Sequence, residues 1–296
     1  MPNTRDIRRR IRSVRNTSQI TRAMQLVAAA KMKKAQDQAV AGRPYSDRLN
    51  QVLAHLKERN DEEDHPLLGR PRQGPELVLV VSTDKGLCGG LNTNLLRKFR
   101  AEVPQDAHLT TVGRKLRLSL AKLGRNIVSD WEVRDPVPFA DAKPIAKYLT
   151  EQFIEGRYSL IRILFSNFQS TLTQVPWISQ LLPIEPAALA VPRNYEKDRR
   201  PAPAAEPPAP AADHLFEPGP REVLDALLPL YVNFQVYQML LEARASEHSA
   251  RMVAMKNATD NAESMIKDLT LEYNKLRQAA ITSELLEITT AMKAME

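Results

Sequence analysis

The chain is poor in the residues that build many catalytic and binding sites. It has one cysteine in 296 residues, Cys88. No intramolecular disulfide framework can form, and a reducing compartment suits it. Aromatic residues are 5% of the chain, so the core must come from Leu, Ala, Met and Val, which favours helices. No apolar run reaches about 18 residues, so nothing reads as membrane-spanning. The Arg-dense N-terminus has no apolar stretch behind it and does not read as a secretory signal. What is present, 43% apolar and 26% charged residues, excludes a wholly disordered or collagen-like chain.

Glycine and proline are missing from two long stretches. Neither occurs between Pro2 and Gly42, nor anywhere after Pro229. These residues punctuate structure most strongly, so both stretches read as long helices. At a rise of about 1.5 Å per residue they would reach about 58 Å and about 100 Å. A compact globule of this size has a radius of gyration of about 19 Å, so the longer helix is expected to project as a shaft. Its apolar positions Met255, Thr259, Ala262, Ile266, Leu269, Tyr273, Leu276 and Ala280 are spaced alternately four and three apart, a coiled-coil seam. The pattern slips by one and resumes at Ile281, Leu285, Ile288, Met292 and Met295. The N-terminal stretch offers Ile7, Ile11 and Val14, then Ile20, Met24 and Val27. An antiparallel pair of terminal helices of unequal length follows, with an apolar tip that needs cover from a partner.

Between them, Leu77–Ser82 is a short continuous apolar run of the kind that forms a buried strand. Helical patterns at about 91–103, 115–123 and 141–155 alternate with strand patterns at about 108–112, near Ile127, at 158–165 and at 171–182. Such alternation predicts an α/β domain with a mostly parallel sheet. The expected organisation is an N-terminal coiled-coil helix (1–60), a central α/β foot (70–192), a linker or insertion (193–214) and a C-terminal coiled-coil helix (215–296). Residues 201–212 contain five prolines and six alanines, which reads as a semi-extended linker.

Charge is unevenly placed. Residues 1–60 hold 14 Lys and Arg against 4 Asp and Glu, whereas the chain as a whole has a net charge of +7. The basic segment suits an acidic protein partner or nucleic acid, but no Phe, Trp or Tyr precedes Tyr45 to stack on bases. The turn Thr83–Asn92 is glycine-rich between a strand and a helix, yet its spacing fits neither G-x-G-x-x-G nor G-x-x-x-x-G-K-[ST]. A nucleotide-binding enzyme built on the central domain therefore lacks its phosphate loop. His55, His65, His108, His214 and His248 show no metal-ligand spacing. Cys88 has no histidine close in sequence to activate it. Glu284 and Glu287 read as a solvated helix face. No catalytic constellation emerges, and a mechanical or scaffold role fits best.

Four blocks carry a resemblance. Ile11–Thr17 with Ile20–Met24 and Val27–Met32, then Ser82–Asn92, then Ser246–Ala262, then Tyr273–Thr282 together resemble the γ subunit of F-type ATP synthase in its bacterial form. The resemblance implies a central rotary shaft inside a ring of three α and three β subunits, with a foot against the ε subunit and the c-ring. Proton-driven rotation of the c-ring would turn the shaft and drive the catalytic β subunits through their states for ATP synthesis or hydrolysis. It implies a non-catalytic subunit without cofactors, since ATP, ADP and Mg²⁺ would bind the α and β partners. It implies no nucleic-acid partner, and a peripheral place on the cytoplasmic face of the bacterial inner membrane, reached only through the complex. By this resemblance Met24, Lys85 and Cys88 match positions that meet the acidic lever of the β subunit. Arg251, Arg277, Gln278 and Thr282 match positions that meet the ring higher on the shaft, and Met292 and Met295 lie near the tip. Phe216 and Glu217 match the foot segment near the c-ring. The Pro/Ala-rich stretch at 193–213 is longer than usual for the family. The cysteine-bearing insertion of chloroplast relatives is absent, so redox control is not expected.

Overall fold

The computed structural model describes residues 4–58, 65–68, 74–184 and 219–295. In order they form α1 (Thr4–Glu58), β1 (Glu76–Val81), α2 (Leu91–Glu102), β2 (His108–Val112), α3 (Arg114–Lys122), β3 (Ile127–Trp131), α4 (Phe139–Ile154), β4 (Leu160–Phe168), β5 (Gln174–Leu182) and α5 (Pro220–Met295). The expected linker at 193–214 lies outside the described residues. The chain divides into two compact units, one of residues 29–250 and one of residues 1–28 with 251–296. The division crosses both long helices, whereas the sequence pattern placed its breaks at their ends.

The larger unit is built on one sheet of order β3-β2-β1-β4-β5. The first four strands are mutually parallel and β5 returns antiparallel to β4. Side chains alternate along β1 because successive residues of a strand face opposite ways. Leu77, Leu79 and Val81 join Ile161, Ile163 and Phe165 of β4 on one face, under Ile145 and Leu149 of α4 and Leu228, Val232, Val236 and Met239 of α5. Val78 and Val80 face the other side, with Leu95 and Phe99 of α2 and Leu116 and Leu120 of α3. Short parallel strands linked by helices are buried on both faces, and this is why β1 reads as an unbroken apolar run.

Both long helices run beyond their Gly- and Pro-free stretches and fill most of the expected 1–60 and 215–296 segments. α1 continues through Gly42 and Pro44 to Glu58, and α5 starts at Pro220 and contains Pro229. The cause is tertiary packing. Leu49 and Leu53 of α1 enter the sheet core, and so do Leu224, Leu228 and Val232 around the exposed Pro229. Gly42 is placed where its α-carbon lies close under Phe234, so that an added Cβ would be 3.3 Å from the ring. Burial of several large side chains outweighs about 1 kcal/mol for the glycine and about 3 kcal/mol for a proline.

The smaller unit pairs the two terminal helices. On α5 the buried and half-buried positions include Met255, Thr259, Ala262, Ile266, Leu269, Tyr273 and Leu276, the expected seam except for its last member, Ala280, which is exposed because it lies beyond the end of the pairing with α1. Thr21 and Thr259 meet with their hydroxyls 2.7 Å apart. The start of α1 at Thr4 lies as far before Thr21 as Leu276, the last half-buried side chain described on α5, lies after Thr259. Matching spans in opposite directions make the pair antiparallel. From Arg277 onward every residue of α5 whose exposure is described is exposed.

The α1 seam corrects the sequence reading. Ile7, Ile11 and Val14 hold their expected places, but the stripe continues through Ser18, Thr21, Gln25 and Ala28. Ile20 and Val27, assigned to the seam by their hydrophobicity, are 60% and 57% exposed. The alternation of four and three from Ile7 leads to 18, 21, 25 and 28. Following apolar residues alone jumps the phase after Val14. Small residues allow the backbones to come close, and each threonine hydroxyl also reaches a carbonyl of its own helix, Ser18 at 3.0 Å and Met255 at 2.9 Å.

Candidate functional site

In open α/β sheets, ligands bind beyond the carboxyl ends of the strands where the chain order reverses. Here that point lies between β1 and β4: β1 leads through α2 to β2 on one side, and β4 follows α4 on the other. The crevice is filled from within the chain. Arg244 and Glu247 of α5 enter beside Ser82, Thr83, Val112 and Ser166, leaving a cavity of about 10 Å³, at most one water. Ser246 Oγ donates to Ser166 O at 2.9 Å, which fastens α5 to the end of β4. The cavity is far smaller than a nucleotide. Among the described residues no group of His, Cys, Asp and Glu is placed to hold a metal ion.

Arg244 organises the filled crevice. It donates to Glu247 Oε2 at 2.7 Å, to Asp84 Oδ2 at 3.1 Å and to Val133 O at 3.0 Å. Burial disfavours its charge, but Glu247 and Asp84 outweigh that and hold the guanidinium ionised. A bidentate or branched fork of this kind is specific to arginine. Beside it, His248 Nε2 donates to Asp135 Oδ1 at 3.3 Å and Lys31 Nζ donates to Asp135 Oδ2 at 2.7 Å. The hydrogen bond from His248, with Lys31 adding to it, holds the Asp135 carboxyl well below the usual carboxylate range although burial opposes this. Asp135 therefore ties α1 and α5 to the loop between β3 and α4.

Above the crevice, the turn after β1 is caged. Thr83 Oγ1 donates to Lys85 O at 2.8 Å, and Asn92 Nδ2 donates to Thr83 Oγ1 at 2.8 Å and to Cys88 Sγ at 3.4 Å. Cys88 is buried against Leu91 and Ala250. The turn presents Lys85 and Leu87 instead, and Leu87 is 61% exposed. Leu87 has φ +63°, and among the described residues no other non-glycine has a positive φ. An L-residue there costs on the order of 1–2 kcal/mol. A strained backbone that holds a leucine in water points to a contact surface.

The remaining sequence-assigned residues fall as follows. Met24 is half-buried on α1, next to the exposed Ile20, Leu26 and Val27. Arg251 is half-buried, and Arg277, Gln278 and Thr282 are exposed on α5. Thr282 Oγ1 donates back to Gln278 O at 2.9 Å. Phe216 and Glu217 lie outside the described residues. The sequence reading missed Leu87, Arg244 and Asp135. Only Leu87 had a local signal, as the one large apolar residue between Gly86 and Gly89.

A family model described as ATP synthase matches residues 3–295. The ATP synthase gamma chain of Akkermansia muciniphila is 51% identical over 300 residues, covering 100% of each chain. That of Opitutus terrae is 48% identical over 294 residues, covering 99% of each. The chain belongs to the ATP synthase gamma chain family. Solved structures agree in fold. A chain of the Euglena gracilis mitochondrial ATP synthase (OSCP/F1/c-ring, rotational state 3) gives a TM-score of 0.66 at 21% identity, covering 99% of this chain and 94% of that one. A chain of the Tetrahymena thermophila mitochondrial ATP synthase (central stalk/c-ring) gives 0.58 at 23% identity, covering 81% and 99%. The gamma-chain fold thus accounts for the paired terminal helices and the mostly parallel sheet together. No helix among the described residues is long and apolar enough to cross a membrane.

Proposed function

We infer that the chain is the central-stalk subunit of an ATP synthase, the rotary shaft that couples c-ring rotation to the conformational cycle of the catalytic β subunits. The observation that carries this beyond family membership is the end of α5. Ile281, Leu285, Leu286, Ile288 and Met292 are all exposed there, and such a stripe in water is unfavourable without cover. The α3β3 ring supplies that cover, with flexible Met292 and Met295 at the tip adapting to changing neighbours.

The chain is the non-catalytic part of the machine. The filled crevice supports the absence of a nucleotide here, with ATP, ADP and Mg²⁺ held by the α and β partners. Met24 and Lys85 meet the β subunit, and Cys88 sets the packing under that contact. Arg251, Arg277, Gln278 and Thr282 contact the ring along the shaft, and Phe216 and Glu217 contact the c-ring end beside the ε subunit. Exposed charge pairs of about 0–1 kcal/mol each suit contacts that form and break every turn. The chain works at the cytoplasmic face of the bacterial inner membrane, held there by the complex. The nucleic-acid reading gains no support, because the Arg residues of α1 have no aromatic neighbours before Tyr45.

The test is ATP hydrolysis by purified α and β subunits without this chain, with it, and with a version ending at Leu276. The full chain is expected to raise turnover strongly, and the truncated one to raise it less. No rise, with the chain eluting apart from α and β, would overturn the reading.

A further inference from the structure

A second cavity, of about 130 Å³, lies beside the filled crevice within the larger unit. Three elements wall it: α1, the loop between β3 and α4, and α5. Its volume comes close to that of a cavity able to hold a benzene ring, about 150 Å³. Ala35, Val137 and Leu241 line it, and all three are buried. The body of a guest would therefore meet hydrocarbon.

The same cavity has a cationic side. Lys31, Lys34 and Arg244 line it against one carboxylate, Asp135. Both oxygens of Asp135 are already engaged, by His248 and by Lys31. Lys34 is exposed and meets no carboxylate among the described residues. Arg244 is the more telling group. Its side chain is only 9% exposed, and its three hydrogen bonds all leave from the two terminal nitrogens. Its Nε–H donates to no atom of the described residues. A donor on so buried a cation calls for an acceptor.

We propose that this cavity binds a small organic carboxylate with an apolar body of about six carbons, its head on Arg244 and Lys34 and its body against Ala35, Val137 and Leu241. The inference rests on the fold alone and not on the central-stalk reading. The two kinds of lining select this class together. Inorganic phosphate needs donors on every side, and much of this lining is hydrocarbon. A neutral apolar guest would leave the buried Nε–H unanswered. A metal cation would meet the positive charge of Lys31, Lys34 and Arg244. Once bound, the carboxylate bridges α1 and α5 and stabilises the unit that it joins.

The test is calorimetric titration of the full chain with cyclopentanecarboxylate, beside cyclopentylmethanol and inorganic phosphate. The carboxylate is expected to bind at one site with a Kd of about 1 mM or tighter, and the neutral alcohol and phosphate at least about tenfold more weakly. At ten times Kd it should raise the folded-to-unfolded ratio about elevenfold in urea unfolding followed by tryptophan fluorescence. Lys34→Gln should weaken binding about threefold to fivefold. Ala35→Leu grows into the cavity and should abolish binding while the chain alone unfolds at no lower urea concentration. If that variant does not fold, Lys34→Gln and the two control ligands decide. No saturable binding up to about 20 mM overturns the proposal. So does equal affinity for the alcohol or for phosphate, or a Kd that neither substitution moves.

Discussion

Arg244→Met is the sharpest perturbation of the larger unit. Methionine fills most of the volume but cannot donate. It leaves the Glu247 carboxylate buried without its cation and the Val133 carbonyl without its donor. Asp84 is half-exposed and turns to water at little cost. Removing one partner of a buried pair costs about 3–5 kcal/mol, because the other charge is stranded. At about 2–4 °C per kcal/mol for a unit of this size, a loss of about 4 kcal/mol lowers Tm by about 8–16 °C. Arg244→Lys should fall between, since one ammonium serves three acceptors badly.

The assay is urea unfolding followed by tryptophan fluorescence. The two tryptophans, Trp131 and Trp177, both lie in the sheet, so the signal reports this unit alone. The double variant Arg244→Met with Glu247→Leu is the decisive comparison. A buried pair replaced by apolar residues of similar volume is often neutral, so most of the lost stability should return. A single variant that loses under about 1 kcal/mol, or a double variant worse than the single, would refute the account of the crevice as an electrostatic unit.

Three further outcomes are expected. Gly113→Ala should cost about 3 kcal/mol or more in urea unfolding, because φ is +92° and a Cβ would sit 2.3 Å from the Ser82 carbonyl oxygen. Asp135→Asn should lose about 1 kcal/mol at neutral pH, a modest value because the side chain is 30% exposed. The folded carboxyl titrates below its unfolded value, so its stabilisation is complete above about pH 4 and fades as pH falls further. Wild type and variant should therefore converge in acid, and a gap that widens below about pH 4 would contradict this. Ile7→Ala should cost about 2–3 kcal/mol in the smaller unit, whereas Ile20→Ala should cost under about 0.5 kcal/mol. Far-UV circular dichroism melts of the two variants check the corrected seam, and equal losses would restore the original phase.

Much of this fold was legible because its signals are local. β1 reads as a buried strand from a few adjacent residues, and the α5 seam reads from spacing alone. The α1 seam failed where hydrophobicity and phase disagree. Ser18 and Thr21 occupy buried positions that periodicity requires, and Ile20 and Val27 do not. Gly42 and Pro229 do not end their helices, because tertiary burial overrides these local stop signals. Arg244 pairs with Asp84 160 residues away, and His248 with Asp135 at 113, so no window of sequence could display either pair.

The missing phosphate loop and the filled crevice are two aspects of one design. A doubly wound sheet offers a ligand site at its order reversal only if nothing else occupies it. Here Leu240, Arg244 and Glu247 of α5 line that place, and neighbouring α5 residues form much of the sheet core. The helix is anchored where a ligand would otherwise bind. With α5 residues in that place, the turn after β1 need not wrap inward around a phosphate. It is free to face outward, and the strain at Leu87 indicates that its outward pose is maintained rather than incidental. A domain that holds a helix at its ligand position and a strained leucine at its rim is organised to transmit contact, which is the requirement of a central stalk.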